Sequence, residues 1–225
     1  MSKPVCELEG ASIVLVGAFN PRIFQPAWLG EHGLLRPEEV AAAATSSDKK
    51  DYVIAREFAQ FTAGWLDLQV TEQRFSAQTA DPAQYNPLRD LVLSTFRLLE
   101  HTPFDQMGLN RLMHYRMPSD EEWNDFGHFL APKKAWRGLM DKPGLLSLRI
   151  TGRKPGAEHV TYNTKVEPSA PIQPGVFIET NEHYKLDGNH TAKRLMEALE
   201  QSWQSSQEHA KMVAEHLFAE FYEGK

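Results

Sequence analysis

Histidines are the side chains of this sequence best suited to acid–base chemistry or metal binding, because imidazole titrates near neutral pH and ligates many metals. Of the nine histidines, His183 and His190 flank Asp187 at spacings that can converge on one ion. No HExxH motif or cysteine partner accompanies them, and Asp187-Gly188 is a common turn dipeptide. We interpret the segment as a turn between a strand and a helix. The sequence predicts no catalytic residue, no metal ligand and no cofactor.

A second group of possible ligands lies on a short predicted helix, which Ser119 and Glu122 begin as a capping box. Glu121, Asp125 and His128 share one face of this helix, as carboxylate and imidazole ligands do in dinuclear metal sites. Such sites need matching ligands from other helices, and no Glu-x-x-His motif elsewhere in the chain supplies them. Acidic residues in a first helical turn also follow from the helix dipole alone. We therefore interpret this group as an ordinary helix start.

Candidate binding residues lie on predicted strands. Asn110, His114 and Arg116 alternate with apolar residues, so their side chains share one strand face. If neighbouring strands pair in register, further polar side chains join that face. An antiparallel sheet commonly leaves one face to solvent, which is the alternative interpretation. A face of this composition suits recognition of an anion or a peptide better than bond cleavage. The candidate polar face comprises Asn110, His114, Arg116, Arg149, Asn163, Asn181 and His183.

Composition disfavours several classes of protein. Cys6 is the only cysteine, which excludes an internal disulfide and a cysteine-ligated zinc site and favours a reducing cytoplasm. No segment resembles a signal peptide, and no apolar run approaches the ~20 residues that cross a membrane. A net charge of −6 disfavours nucleic-acid binding, although residues 133–137 and 149–154 are locally basic. The motifs G-x-G-x-x-G, the P-loop and G-x-S-x-G are absent.

Apolar periodicity predicts a single α+β domain over residues 1–225. Period-two alternation and hairpin-length loops favour an antiparallel sheet of about six to seven strands with helices packed on one face. The predicted strands cover residues 12–19, 52–61, 66–71, 107–117, 145–151, 158–167 and 176–184, with a further turn or bulge after Gln73. Helices are predicted from residue 37, from residue 86 and from residue 119.

The last element is a predicted amphipathic helix within residues 190–222, and its residues from Thr191 to Tyr222 would span ~48 Å at 1.5 Å per residue. A domain of this size has a radius of gyration of only ~17 Å, so we expect the far end of the helix to overhang, to kink or to meet another subunit. That expectation predicts a protein partner or a homo-oligomer through the C-terminal helix. The candidate interaction residues are Phe24, Trp28, Trp203, Phe218 and Phe221.

Two short motifs and the order of the elements connect the chain to a known family. The motifs are the strand ending Glu72-Gln-Arg-Phe75 and the strand beginning Gly108-Leu-Asn-Arg111, and a long helix ending in Leu-Phe follows them. The chain resembles, from about residue 12 to 222, a sporadically distributed family of uncharacterised bacterial proteins whose middle strand reads like Gly-Leu-Arg-Tyr-Ile-Asn. Asn110 stands here where that family has Arg-Tyr. The resemblance implies a bacterial α+β protein without assigned catalytic residues.

Three functions remain open on this basis. We favour a non-catalytic protein-interaction or accessory subunit of a bacterial intracellular complex, of a kind found in defence, immunity or secretion. The alternative is a metal- or histidine-dependent hydrolase that uses His114 or the segment from His183 to His190. A further alternative is an accessory protein that binds nucleic acid through the two basic segments.

Overall fold

In the part of the chain that the structure describes, the fold is built on one antiparallel sheet of nine strands. The computed structural model describes residues 3–45 and 52–224, and for residues 44–45 and 186–191 it describes the backbone without the side chains. The strands are β1 (Val5–Gly17), β2 (Tyr52–Ile54), β3 (Phe58–Ala63), β4 (Leu66–Thr71), β5 (Arg74–Thr79), β6 (Pro103–Arg116), β7 (Leu148–Lys154), β8 (Ala157–Pro168) and β9 (Gly175–Thr191). Their order across the sheet is β2-β3-β4-β5-β1-β6-β9-β8-β7.

The sheet has more strands than the predicted number because two turns divide segments that the sequence pattern left joined or undecided. In the predicted strand 52–61, the amide of Ala55 donates a hydrogen bond to the carbonyl of Phe58 at 2.7 Å, and this turn separates β2 from β3. The shift of apolar parity after Gln73 marks the turn into β5. The antiparallel α+β class is confirmed.

β1 begins seven residues earlier than predicted, at Val5 instead of residue 12. Its first half is mostly exposed and carries Glu7 and Glu9, so the sequence pattern does not distinguish it from a terminal tail. The acidic residues of this half form ion pairs with β6, from Glu7 to Arg116 and from Glu9 to Arg111, each with an oxygen–nitrogen distance of 2.5 Å. These cross-strand pairs extend the pairing of β1 with β6 along the whole of β1.

The five α-helices of the described residues all contribute apolar side chains to the same face of the sheet. The helices are α1 (Pro26–Glu31), α2 (Pro37–Thr45), α3 (Tyr85–Leu98), α4 (Asp120–Leu130) and α5 (Ala192–Glu223). The predicted capping box of α4 is present, since Ser119 Oγ accepts a hydrogen bond from the amide of Glu122 at 3.1 Å. Among the described residues, no helix combines the length and the apolar character of a membrane span.

α5 is one continuous helix, as predicted, but the expected overhang is wrong. Its buried residues are distributed from Ala192 to Phe221. The first half packs with Met107 of β6 in one apolar cluster, and the second half packs with Met113 of β6 in another. The strands are long enough to support it, because the 17 residues of β9 span ~56 Å at ~3.3 Å per residue. A platform of such strands is elongated, so a radius of gyration for a round domain underestimates its length.

Candidate functional site

The face of the sheet opposite the helices is not covered by any described helix. Its side chains are polar or charged over most of the strands, and the strand register brings them into rows that cross the sheet. All seven residues of the candidate polar face lie on this open face, as their strand parity predicts. They do not form one site there, and they divide into three groups with different environments.

The first group is a row of hydrogen-bonded amides, which we call the asparagine ladder. Ser12, Asn110, Asn181 and Asn163 are direct partners across four adjacent strands. Asn163 Nδ2 donates to Asn181 Oδ1 at 3.0 Å, and Asn181 Nδ2 donates to Asn110 Oδ1 at 2.7 Å. Asn110 Nδ2 donates to Ser12 Oγ at 3.0 Å. The amides bond one another, so the ladder joins the strands and leaves few amide groups for a ligand.

A shallow groove of about 430 Å³ borders the ladder and includes His183. Gly108 forms part of its floor, and a Cβ atom at this position would lie only 2.8 Å from Asn181 Nδ2. A residue without a side chain is therefore required for the Asn181 amide to lie across the strand. Burial, together with the charge of Lys185, lowers the pKa of His183 below its ordinary value. The lowered pKa favours the neutral form of the His183 imidazole.

The second group, His114 and Arg116, anchors the loop between β8 and β9. His114 Nδ1 lies 2.9 Å from the hydroxyl of the buried Ser169, and its ring packs 4.6 Å from that of Phe177. Burial lowers the pKa of His114. Arg116 donates two hydrogen bonds to Glu7, at 2.5 and 2.9 Å, and one to the carbonyl of Gln173 at 3.0 Å. Both side chains hold the loop against the sheet.

Arg149 forms the third group alone, on the edge strand β7. It is exposed, and it forms no ion pair with a described residue. Two lysines of the basic segments have contacts within the protein instead. Lys133 Nζ donates to the carbonyls of Gly127 and Ala131 near the end of α4, and Lys154 pairs with a buried carboxylate.

Four of the five candidate interaction residues are buried. Phe24, Trp203, Phe218 and Phe221 are each less than 10% exposed and belong to the two apolar clusters. Trp28 is half-buried, and its ring lies 4.4 Å from that of His32. Phe24, Trp203, Phe218 and Phe221 are packed in the core of this chain and therefore offer no exposed surface to a partner, whereas a contact through the half-buried Trp28 stays a prediction.

No described residues form the clusters that a metal ion requires. Among the described side chains, those of residues 3–43, 52–185 and 192–224, no three His, Cys, Asp or Glu residues converge on a common point. The side chains of Asp187 and His190 lie outside the described residues. The backbone there continues β9 to Thr191, where the sequence predicted a turn.

A buried polar cluster on the helix-covered face was missed at the level of sequence. Glu182 Oε1 accepts hydrogen bonds from Lys154 Nζ at 2.6 Å and from Tyr184 Oη at 2.5 Å, and Glu182 Oε2 has no described partner. The ring of Tyr162 stacks on His209 of α5 at 3.8 Å. Burial works against the charge of Lys154, but the hydrogen bond and charge of Glu182 outweigh it and raise the Lys154 pKa.

The signal for this cluster is the alternation of β9 itself. Val176, Ile178 and Tyr184 point to the helix-covered face, so Thr180 and Glu182 must point there too. Polar residues at positions that alternate in step with buried apolar residues of the same strand are therefore predicted to be buried. Together with Arg111 of β6 and Ser206 of α5, they separate the two apolar clusters.

Chemically, the open face offers recognition through charge and hydrogen bonding, and the buried cluster offers a paired charge inside the protein. Comparison with known proteins does not assign either. No protein-family model matches the chain, and no curated protein sequence is significantly similar to it.

Proposed function

We propose that the chain is a non-catalytic protein-binding subunit, an accessory component of a bacterial intracellular complex, and that its partner docks at the β7 end of the sheet. The single cysteine is in keeping with a reducing cytoplasm. The helix α5 does not support this proposal, because its apolar face is buried in its own domain.

The observation that carries the proposal is the concentration of exposed apolar side chains in residues 129–150. Twelve large apolar residues are exposed in the described chain, and six of them fall in this segment. Leu146 is 84% exposed and Leu139 is 74% exposed, which makes them the two most exposed of the twelve. Concentrated apolar exposure is typical of protein interaction sites. The exposed segment comprises Phe129, Trp136, Leu139, Met140, Leu146 and Ile150.

The exposed segment runs into β7, and this edge strand has a free edge. β7 is hydrogen-bonded to β8 on one side, and no described backbone group bonds its other side. Unpaired amide and carbonyl groups on an edge strand are available to a further strand. Apolar side chains and a free edge therefore occur together, which favours a protein as the ligand.

The hydrolase alternative receives less support from the described side chains. His114 is bonded to Ser169 and packed against Phe177, so its ring holds a loop. His183 is on the open face without a described carboxylate bonded to its ring. Neither has the oriented acid–base pair that general acid–base catalysis uses.

The decisive experiment is a comparison of two matched double variants. The tagged chain is crosslinked in its source cells, the crosslinked protein is identified by mass spectrometry, and binding of the two purified proteins is measured by calorimetry. We expect L139S/L146S to weaken that binding at least tenfold, because it removes exposed apolar contact area. The control L98S/M212S changes residues that are 51% and 57% exposed elsewhere on the surface, and it should bind as the wild type does.

Equal binding by both double variants would contradict the assignment of the surface. If none of the crosslinked proteins binds the purified chain, the proposed function itself is contradicted. Binding of a nucleic acid at physiological salt, with a steep dependence on salt concentration, would favour the nucleic-acid alternative.

A further inference from the structure

We infer that the free edge of β7 binds an extended partner segment in which acidic and apolar residues alternate, and that this segment adds a tenth strand to the sheet. The inference rests on the proposed function and specifies the chemistry of the partner. It follows from three features of β7: its free backbone, the charge of its open-face side chains and the apolar character of the opposite row.

The charge of the β7 region differs in sign from that of the whole chain. Residues 133–154 contain seven lysines and arginines and one aspartate, a net charge of +6 in a chain of net charge −6. Two of these cations, Arg149 and Arg153, project from β7 onto the open face and are exposed. Neither forms an ion pair with a described residue, so both are available to a partner.

The register of β7 determines where the partner's acidic residues must lie. Arg149 pairs with Lys165 and Arg153 pairs with Thr161, which places both arginines on the open face with Thr151 between them. A strand added beside β7 has its own alternate residues on that face. Acidic residues in this row therefore face the two arginines, and opposite charges across adjacent strands stabilise the pairing.

The other face of β7 favours apolar partner residues. Leu148 and Ile150 point to the helix-covered side, where Leu148 packs at the border of the second apolar cluster. Ile150 remains 59% exposed, and there is open space above Gly152. An added strand covers Ile150 with its own apolar row. The matching segment therefore has acidic residues at alternate positions and apolar residues between them.

A second copy of this chain is a poor occupant of the edge. An antiparallel β7–β7 pairing centred on Thr151 would place Arg149 of each copy opposite Arg153 of the other. Like charges directly opposite one another destabilise a strand pair. The arginines thus discourage self-association, as charged residues do on edge strands, and select an acidic partner.

The test uses a labelled peptide of alternating glutamate and valine with the full chain. We expect saturable binding below about 1 mM, a weak but specific affinity. The lysine–valine peptide should not bind, nor should the glutamate–valine peptide methylated at every backbone nitrogen. In hydrogen exchange, amides of β7 that exchange rapidly in the free protein should become protected when the glutamate–valine peptide is bound, which docking through side chains alone would not cause.

Charge variants complete the test. R149E/R153E should weaken binding of the acidic peptide about tenfold or more, since two favourable cross-strand pairs become repulsive, and R149Q/R153Q should lie between it and the wild type. Both sites are exposed, and circular dichroism checks the fold. No peptide binding at about 1 mM, equal binding of both peptide charges, or unprotected β7 amides at saturation would overturn the inference.

These results are separable from the proposed function. If L139S/L146S loses its protein partner while β7 amides stay unprotected in that complex, the docking surface stands and strand addition is wrong. A single-stranded oligonucleotide that binds more tightly than the peptide, and that loses this binding in R149E/R153E, would identify the basic edge as a nucleic-acid contact. This outcome would overturn strand addition. Self-association of the wild-type chain that R149E/R153E alters would identify a second copy as the occupant and also overturn it.

Discussion

Lys154 Nζ lies 2.6 Å from Glu182 Oε1, and the glutamate side chain is only 2% exposed. The pair lies on the helix-covered face, where the charges of both residues act on His209 of α5. It is part of the polar interruption between the two apolar clusters. Breaking an ion pair at such a position from one side is costly, because each buried charge is strongly destabilising without the other.

Removing one partner of this pair should cost more than removing both. Lys154→Met leaves the Glu182 carboxylate buried with Tyr184 as its remaining donor, and we expect it to lower the free energy of unfolding by about 2–4 kcal/mol. In K154M/E182Q the buried group is neutral and can still accept the tyrosine hydrogen bond. The double variant should therefore be more stable than K154M in urea unfolding. If the loss of stability in K154M/E182Q equals the sum of the losses in K154M and in E182Q measured alone, the two charges are not coupled.

The strand pattern predicted the sheet and the orientation of its faces. It failed where contacts between residues far apart in the sequence determine whether a segment joins a strand. Alternation placed Asn110, Asn163 and Asn181 on one face, and their shared row followed once the strands paired. Alternation could not show that Glu7 and Glu9 belong to β1, because acidic residues near a terminus resemble a solvated tail. Their partners lie about a hundred residues away on β6.

The aromatic residues of α5 illustrate a second limit. An apolar stripe on a helix predicts that this side of the helix is buried. It does not predict whether the same chain or another protein covers it. Trp203 and Phe218 are covered by this chain's own sheet, since β6 and β9 are long enough to underlie the helix. The sequence pattern predicts a shorter β9 than the structure has, so it also predicts too small a sheet surface for the helix to pack against.

Trp203→Ala should therefore affect stability and not association. Trp203 is 1% exposed within the first apolar cluster. We expect the substitution to lower the free energy of unfolding by about 3–5 kcal/mol, the usual cost of truncating a buried aromatic residue. Urea unfolding at several protein concentrations provides the measurement. A midpoint that falls on dilution of the wild type, and no longer does so in the variant, would place Trp203 in an interface after all.

The carboxylate of Glu39 should make stability sensitive to acid. Burial opposes its charge, but hydrogen bonds from the Arg36 side chain, the Arg36 amide and the Trp65 indole outweigh burial and lower the pKa of Glu39. A lowered pKa in the folded state means that the stabilisation is present above the unfolded value of about 4.5 and is lost as pH falls through the folded value. Glu39→Gln should be less stable than the wild type at pH 7.

Unfolding in urea at a series of pH values tests this. The difference between wild type and Glu39→Gln should shrink as the pH falls below about 4.5. Glu38→Gln is the matched control, because Glu38 is exposed on the same helical turn and its side chain is 65% exposed. A constant difference between wild type and Glu39→Gln across the acid range would exclude Glu39 as the titrating group.

Gly108 and Asn181 should show strong energetic coupling. A methyl group at position 108 would meet Asn181 Nδ2 at 2.8 Å and displace that amide from Asn110 Oδ1. Since the displaced atom ends a flexible side chain, the cost of Gly108→Ala is mainly the lost hydrogen bond, about 1 kcal/mol. In an Asn181→Ala background the same methyl group enters vacant space and should cost close to nothing. Urea unfolding of the four proteins in this cycle gives the coupling energy. Equal costs of Gly108→Ala in both backgrounds would mean that the glycine serves the backbone of β6 and not the asparagine ladder.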